Sequence, residues 1–120
     1  MSTNQEIEKE IQAKGKTALR VTPELIESEI ASAHYFTASD GVIGAAEKGP
    51  NHFVSNPLPL GLLTFCVLVL RDGFTVTGES ACVSPENFDA EIGRKIARQN
   101  AVAKIWPLLG YKLRTFLSIK

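Results

Sequence analysis

The chain has 120 residues, 44% of them hydrophobic and 22% charged, with 13 basic and 13 acidic side chains and two cysteines. That describes one globular domain, too short for two domains or a large α/β barrel and too ordinary in Gly and Pro for a collagen-like or wholly disordered chain. The zero net charge is uneven: residues 1–87 hold six basic and eleven acidic groups, a balance of −5, and residues 88–120 hold seven and two, a balance of +5.

A cationic C-terminal third on a neutral protein either attracts the acidic remainder or presents a basic surface to a small anion. A duplex-binding domain is more usually basic overall. Cys66 and Cys82 are too few for a disulfide framework, and the start MSTNQEIEKEIQAK is polar and acidic where a signal peptide is basic and then apolar. Both features predict a cytoplasmic protein with free thiols. The longest uncharged stretch, Gly49–Leu70, is interrupted by Pro50, Pro57, Pro59 and Gly61 and does not read as a membrane span.

In chain order, residues 1–21 read as a polar arm or frayed helix, with only Ile7 and Ile11 at helical spacing. Residues 22–120 read as a single domain. Thr22-Pro23-Glu24 gives an N-cap, a first-turn proline and an acid, and Leu25, Ile26, Ile30 and Ala33 continue one apolar face, which predicts a helix from Pro23 to about Tyr35. Residues 37–61 hold Asp40-Gly41, Gly44, Gly49-Pro50, Asn56-Pro57 and Pro59, and predict a long loop, either a lid or a variable insertion.

The clearest local signal is LTFCVLVL-RDG-FTVTGESACV. Two apolar, β-branched runs flank Asp72-Gly73, the chemistry of a two-residue hairpin turn. That turn pairs Val69 with Val76 and Val67 with Gly78, and puts Phe65, Val67, Val69, Phe74 and Val76 on a core face. Thr64, Cys66, Leu68 and Leu70 then share the second face with Thr75, Thr77, Glu79 and Ala81. This face is too apolar for a solvated exterior and calls for a packed helix, a subunit interface or a ligand wall. Alternation sends Cys66 and Cys82 to opposite faces, which argues against a bond between them.

Ser84-Pro85-Glu86 repeats the cap, proline and acid pattern, with Asn87 as an alternative cap for a helix beginning at Phe88. Phe88, Ile92, Ile96, Ala103 and Trp106 form an apolar stripe, and Pro107 ends or kinks that helix at Trp106. A last helix turns Leu109, Leu113, Phe116 and Leu117 to the core.

Catalytic signatures are fragmentary. Gly78-Glu79-Ser80-Ala81-Cys82 lacks the second glycine of a nucleophile elbow. Cys82 with His34 or His52 would make a thiol dyad, but an idle cysteine is far commoner, with His34 ending its helix and His52 on the loop. Metal-ligand spacings, P-loops and G-x-G-x-x-G are missing. What remains is an anion site of ordinary parts. The turn from Ser84 to Asn87 opens a helix whose first amides favour negative charge, and Arg94 and Arg98 lie one turn apart beyond it. Arginine forks match phosphate oxygens, Phe74 or Phe88 can stack on a base, and Asn87 can read its edge. Each has a bland rival: both phenylalanines as core, and Arg94 paired with Glu91.

The segment LLTFCVLVLRDGFTVTGESACVSPENFDAEIGRKIARQNAVAKIWPLLGYKLR resembles the small tailed-phage protein family known from coliphage N-four and phage Sf-six. The resemblance covers about Glu24 to Leu117. It rests on NGFTV[TI]GESACV, with Asp72 here in place of the usual asparagine, then P-x-NFD-x-EIG-x-x-IA, then [KR]-[IL]-WPL-x-GY. This family in turn resembles the Thoeris anti-defence one proteins of phages. Those are non-catalytic sponges with an antiparallel sheet and two C-terminal helices, assembled as dimers or hexamers, that sequester cyclic ADP-ribose isomers and in some members cyclic oligonucleotides.

Residues and resemblance together predict an α+β domain: a small antiparallel sheet built on a hairpin, packed with an N-terminal helix and two C-terminal helices. The expected function is capture of a cyclic nucleotide immune signal in the host cytoplasm through Arg94, Arg98, Asn87, Ser84, Phe74 and Phe88. No catalysis, cofactor, metal, membrane or long nucleic acid is expected, and the resemblance implies a homo-oligomer. The alternative is a phage interaction protein that binds a host protein or nucleic acid.

Overall fold

The computed structural model describes residues 3–16, 18–48 and 56–119. Strands β2 (Leu63–Leu70) and β3 (Thr75–Ala81) form the expected hairpin, but with a loop of three residues instead of two. The Leu70 N–H donates to the Phe74 carbonyl at 2.8 Å and the Gly73 N–H to the Leu70 carbonyl at 2.9 Å, while Asp72 Oδ1 accepts from the Phe74 N–H at 2.9 Å. Gly73 closes the loop at φ +89°, a left-handed conformation that a Cβ would penalise.

The extra loop residue changes the register. Val76 now faces Leu68, Gly78 faces Cys66 and Ser80 faces Thr64. The core lies on the Thr64, Cys66, Leu68 and Leu70 face, and the expected core face of Phe65, Val67 and Val69 is the outer one. Because β2 is apolar on both sides, the length of the turn decides which face is buried.

The helix expected over 23–35 is two elements. Helix α2 (Pro23–Ser28) starts as predicted, with Thr22 Oγ1 accepting from the Leu25 N–H, and then β1 (Ile30–Thr37) pairs antiparallel with β2 in a sheet of order β1-β2-β3. The run IASAHYFT carries no acidic or basic side chain except His34, and it satisfies its backbone against β2. Ile26 is buried from the helix and Ile30 partly covered from the strand, so their spacing of four imitates a helical stripe. His34 therefore sits in mid-strand and ends no helix.

The predicted loop at 37–61 contains helix α3 (Ala38–Glu47), set by a capping box in which Thr37 and Asp40 bond each other's backbone N–H. Its Gly41 rests near the Phe36 ring, and a 3₁₀ turn (Leu58–Leu62) leads into β2. Residues 49–55 of that loop, His52 among them, lie outside the described residues.

Beyond β3, Pro85–Asn87 is a single 3₁₀ turn, and helix α4 (Ala90–Ala103) begins later than expected, capped by Asp89 Oδ1 on the Ile92 N–H at 3.0 Å. The helix lies across β2 and β3 and buries Gly93, Ala97 and Ala101, not the Ile92 and Ile96 stripe, which stays 55% and 41% exposed. The reason is closeness. A Cβ built on Gly78 would stand 2.2 Å from the Ala97 carbonyl oxygen and 2.3 Å from the Ala101 nitrogen. The chain breaks at Lys104, and α5 (Ile105–Ile119) takes Pro107 as its third residue, where the missing N–H has no intrahelical partner to lose. Of the four residues expected to anchor α5, Leu109 is buried, with Ile105 beside it. No helix among the described residues is long and apolar enough to cross a membrane.

Helix α1 (Asn4–Ala13) has a Thr3–Glu6 capping box and buries none of its residues. It is tied down by Glu8, whose carboxylate accepts two hydrogen bonds from Arg20 at 2.5 and 2.7 Å. Hydrogen bonding from Arg20, then from Gln12, lowers the Glu8 carboxyl to about 2.

Two measurements test this frame. Gly78→Ala is expected to cost about 3 kcal/mol in urea denaturation, since it pushes a methyl group into the α4 backbone, whereas Gly73→Ala costs about 1 kcal/mol for a strained turn. The reverse order would remove Gly78 from its role. A depressed carboxyl stabilises the fold above its unfolded value and stops doing so as the pH falls through its folded value. The Glu8 contribution is therefore expected to be intact above pH 4.5 and gone near pH 2, read from amide exchange across α1.

Candidate functional site

Strand alternation sends Tyr35 and Thr37, the partners of Cys66 and Thr64, toward the α4 side of the sheet. There they meet the first turns of α4. Tyr35, Thr37, Asp40, Thr64, Phe88 and Arg94 line a cleft of about 100 Å³. A second cleft of about 120 Å³ shares Phe88 and Thr64 and adds Ser80, Cys82, Asn87, Asp89 and Ile92. Phe88 thus stands between two shallow hollows.

The two arginines differ in their commitments. Glu91 pairs with Lys95 at 3.3 Å, so Arg94 has no ion-pair partner among the described residues, although Asp40 borders the same cleft with its Oδ2 accepting the Thr37 N–H at 3.0 Å. Arg98, one turn on, donates to Glu27 Oε2 at 2.7 Å and lies within the influence of the Tyr35 hydroxyl. Partial burial works against its charge, but Tyr35 and Glu27 outweigh it and hold the guanidinium above its ordinary value. Burial pushes the Cys66 thiol up, opposed by Tyr35 and by the charge of Arg98.

Residues 21–117 match the family described as phage protein (N4 Gp49/phage Sf6 gene 66). The chain belongs to that phage family. No curated protein matches the chain, and no solved structure does. The family match spans the three strands and both clefts, and leaves α1 outside it.

The sequence candidates are dispersed. Arg94 and Phe88 share the first cleft, Phe88 and Asn87 the second, and Arg98 is adjacent through Tyr35. Ser84 lines neither cleft; its hydroxyl donates to Glu86 Oε2, which lowers that carboxyl. Phe74 sits at the hairpin tip beside Leu70, Leu108 and Lys112, roughly 20 Å along the sheet from Thr64 at 3.3 Å per residue. The helix start offers less to an anion than its sequence implies, because Asp89 already occupies it.

Tyr35, Thr37 and Asp40 are cleft residues that the reading of 23–61 as helix and loop conceals, whereas Thr64 stands on the second hairpin face already marked as a candidate ligand wall. Thr37-Ala38-Ser39-Asp40, with its capping-box spacing, is the signal that locates them. Cys82 and His34 are not brought together. His34 lies on the outer face, 3.0 Å from Ser32 Oγ, and Cys82 lies in the second cleft with its thiol donating to the Ser84 carbonyl at 3.2 Å. Both cysteines are free, and Cys66 is fully buried. A thiol-specific chromogenic reagent is expected to modify one cysteine, Cys82, in the folded protein and Cys66 only after denaturation; rapid double modification would mean that the α4 side of the sheet opens readily.

Proposed function

We propose that this phage protein binds a cyclic nucleotide immune signal, a cyclic ADP-ribose isomer or a cyclic oligonucleotide, in the host cytoplasm and holds it without chemistry. The observation that carries the reading is Arg94: an arginine without an ion-pair partner among the described residues, in one hollow beside Phe88, the aromatic ring that also lines the adjoining one. Either hollow alone is smaller than the roughly 300 Å³ of a small-molecule pocket, so the ligand lies across both, its base against Phe88, its phosphates toward Arg94 and its polar edge at Asn87. Tyr35 lines the first hollow beside Arg94, and Arg98, one turn on, is held by Glu27. The resemblance to the phage sponge proteins supports the same ligand class.

The test is thermal stability of the purified protein against cyclic ADP-ribose isomers, cyclic di- and trinucleotides, and long oligonucleotides. A ligand at 100 times its dissociation constant stabilises by about 2.7 kcal/mol, which raises the midpoint of a domain of this size by on the order of ten degrees. Arg94→Ala is expected to weaken that ligand about 10- to 100-fold, the effect of one charge-assisted hydrogen bond. Ligand recovered chemically altered would replace the sponge with an enzyme. A shift only with long oligonucleotides, falling steeply with salt, would favour the nucleic-acid reading instead.

A further inference from the structure

Helix α5 is longer than the helix beside it. Its fifteen residues run about 22 Å and the six of α2 about 9 Å, so α2 can cover less than half of the apolar side of α5. That side carries Leu109, Leu113 and Phe116 at spacings of four and three, and burial falls away along it: Leu109 is in the core, Leu113 is half-buried and Phe116 is 51% exposed. With Leu19 and Leu25, the same three side chains wall a hollow of about 280 Å³.

A second hollow of about 220 Å³, walled by Leu70, Phe74, Leu108 and Leu109, continues the first toward the hairpin tip, and Glu29, Leu109 and Lys112 border both. Each is larger than either cleft beside Arg94. Joined, they form a groove within the roughly 300–1,000 Å³ of small-molecule sites, apolar along its walls and charged at a few points.

Those charges select the ligand. Arg20 stands at the rim of the larger hollow but is committed to the Glu8 carboxylate. Lys112 has no ion-pair partner among the described residues, and α5 holds Lys112 and Arg114 with no acid from Ile105 to Ile119. The larger hollow sets one acid, Glu29, against two cations, whereas the smaller sets Glu29 and Asp72 against Lys112 alone. A negative head is therefore drawn to Lys112 and turned away from the hairpin tip. We propose that this groove binds a medium-chain aliphatic carboxylic acid, with its carboxylate on Lys112 and its chain among Leu25, Leu113 and Phe116. The concave walls suit a single chain and not the plane of a bilayer. Leu19 and Arg20 precede the stretch matched to the phage family, so part of the rim lies beyond that match. The inference does not rest on the nucleotide reading, whose clefts share no residue with this groove.

The experiment is calorimetric titration of the full chain with decanoate. One decanoate per chain is expected, with a dissociation constant below about 1 mM, and octanoate is expected to bind about 15-fold more weakly, about fourfold for each methylene withdrawn from the hollow. Lys112→Met keeps an apolar stem and removes the charge; it should weaken decanoate at least about tenfold and leave decanol unchanged, and Glu29→Gln should tighten decanoate. Arg94→Ala should bind decanoate as the wild type does, and loss of binding there would move the acid to the other clefts and refute the proposal. It is overturned equally by no saturable binding up to about 1 mM, by equal affinity for octanoate and decanoate, by decylamine binding more tightly than decanoate, or by a folded Lys112→Met protein that binds as before. A chain that ignores the free acid but sediments with vesicles of anionic phospholipid would overturn it in favour of a membrane contact.

Discussion

The rest of the fold depends on how closely α4 approaches β3. With no side chain at Gly78, the backbone of Ala97 and Ala101 comes within the space a methyl group would need, and this contact fixes the height of the helix above the sheet. At that height only small residues fit beneath α4, so Gly93, Ala97 and Ala101 form its buried stripe, and Gly93 meets Thr64 Oγ1 one turn earlier. The same closeness carries Arg94 and Arg98 down beside β1, where Tyr35 can reach the second of them. The GESAC run therefore has a structural explanation that involves no nucleophile: its glycine makes room for a helix.

That contact also explains what the sequence hides. Periodicity scores the large apolar residues, and on α4 and just before it those are Phe88, Ile92 and Ile96, whereas packing selects the smallest ones. The hairpin, its Asp-Gly turn and the two C-terminal helices are legible because their signals are local. Which face of β2 is buried is not, since a strand apolar on both sides leaves the choice to one residue of loop. Strand β1 escapes for a related reason. The cap signal ahead of it is real but serves a helix of six residues, and Ile30–Thr37 becomes a strand because β2 offers it a ladder, which no window of the sequence contains.

Of the residues that line the candidate clefts, Arg94, Phe88 and Asn87 are visible in the sequence by their chemistry: an arginine on α4 with a phenylalanine and an asparagine ahead of it. Phe74 is wrongly grouped with them because stacking potential is visible in a sequence and position along a sheet is not. Tyr35 and Asp40 are passed over because the elements that present them are misread, and an aromatic at the end of a supposed helix has no reason to meet an arginine more than fifty residues away. Two of the cleft's walls thus come from a segment whose fold is decided by long-range pairing.

The separation of β1 from β2 has a kinetic consequence. The β2–β3 hairpin closes through a short turn, while the nearest β1 pair, Thr37 with Thr64, spans α3 and the connection after it. Loop closure is cheaper and faster for the hairpin, so β1 docks last although it is synthesised first. Until it does, one edge of a strand with apolar residues on both faces stands unpaired, the arrangement most prone to join another chain. Substitutions in the hairpin and α4 should then act on the folding rate and those in β1 on the unfolding rate, which makes the order of events measurable from the two limbs of a denaturant chevron.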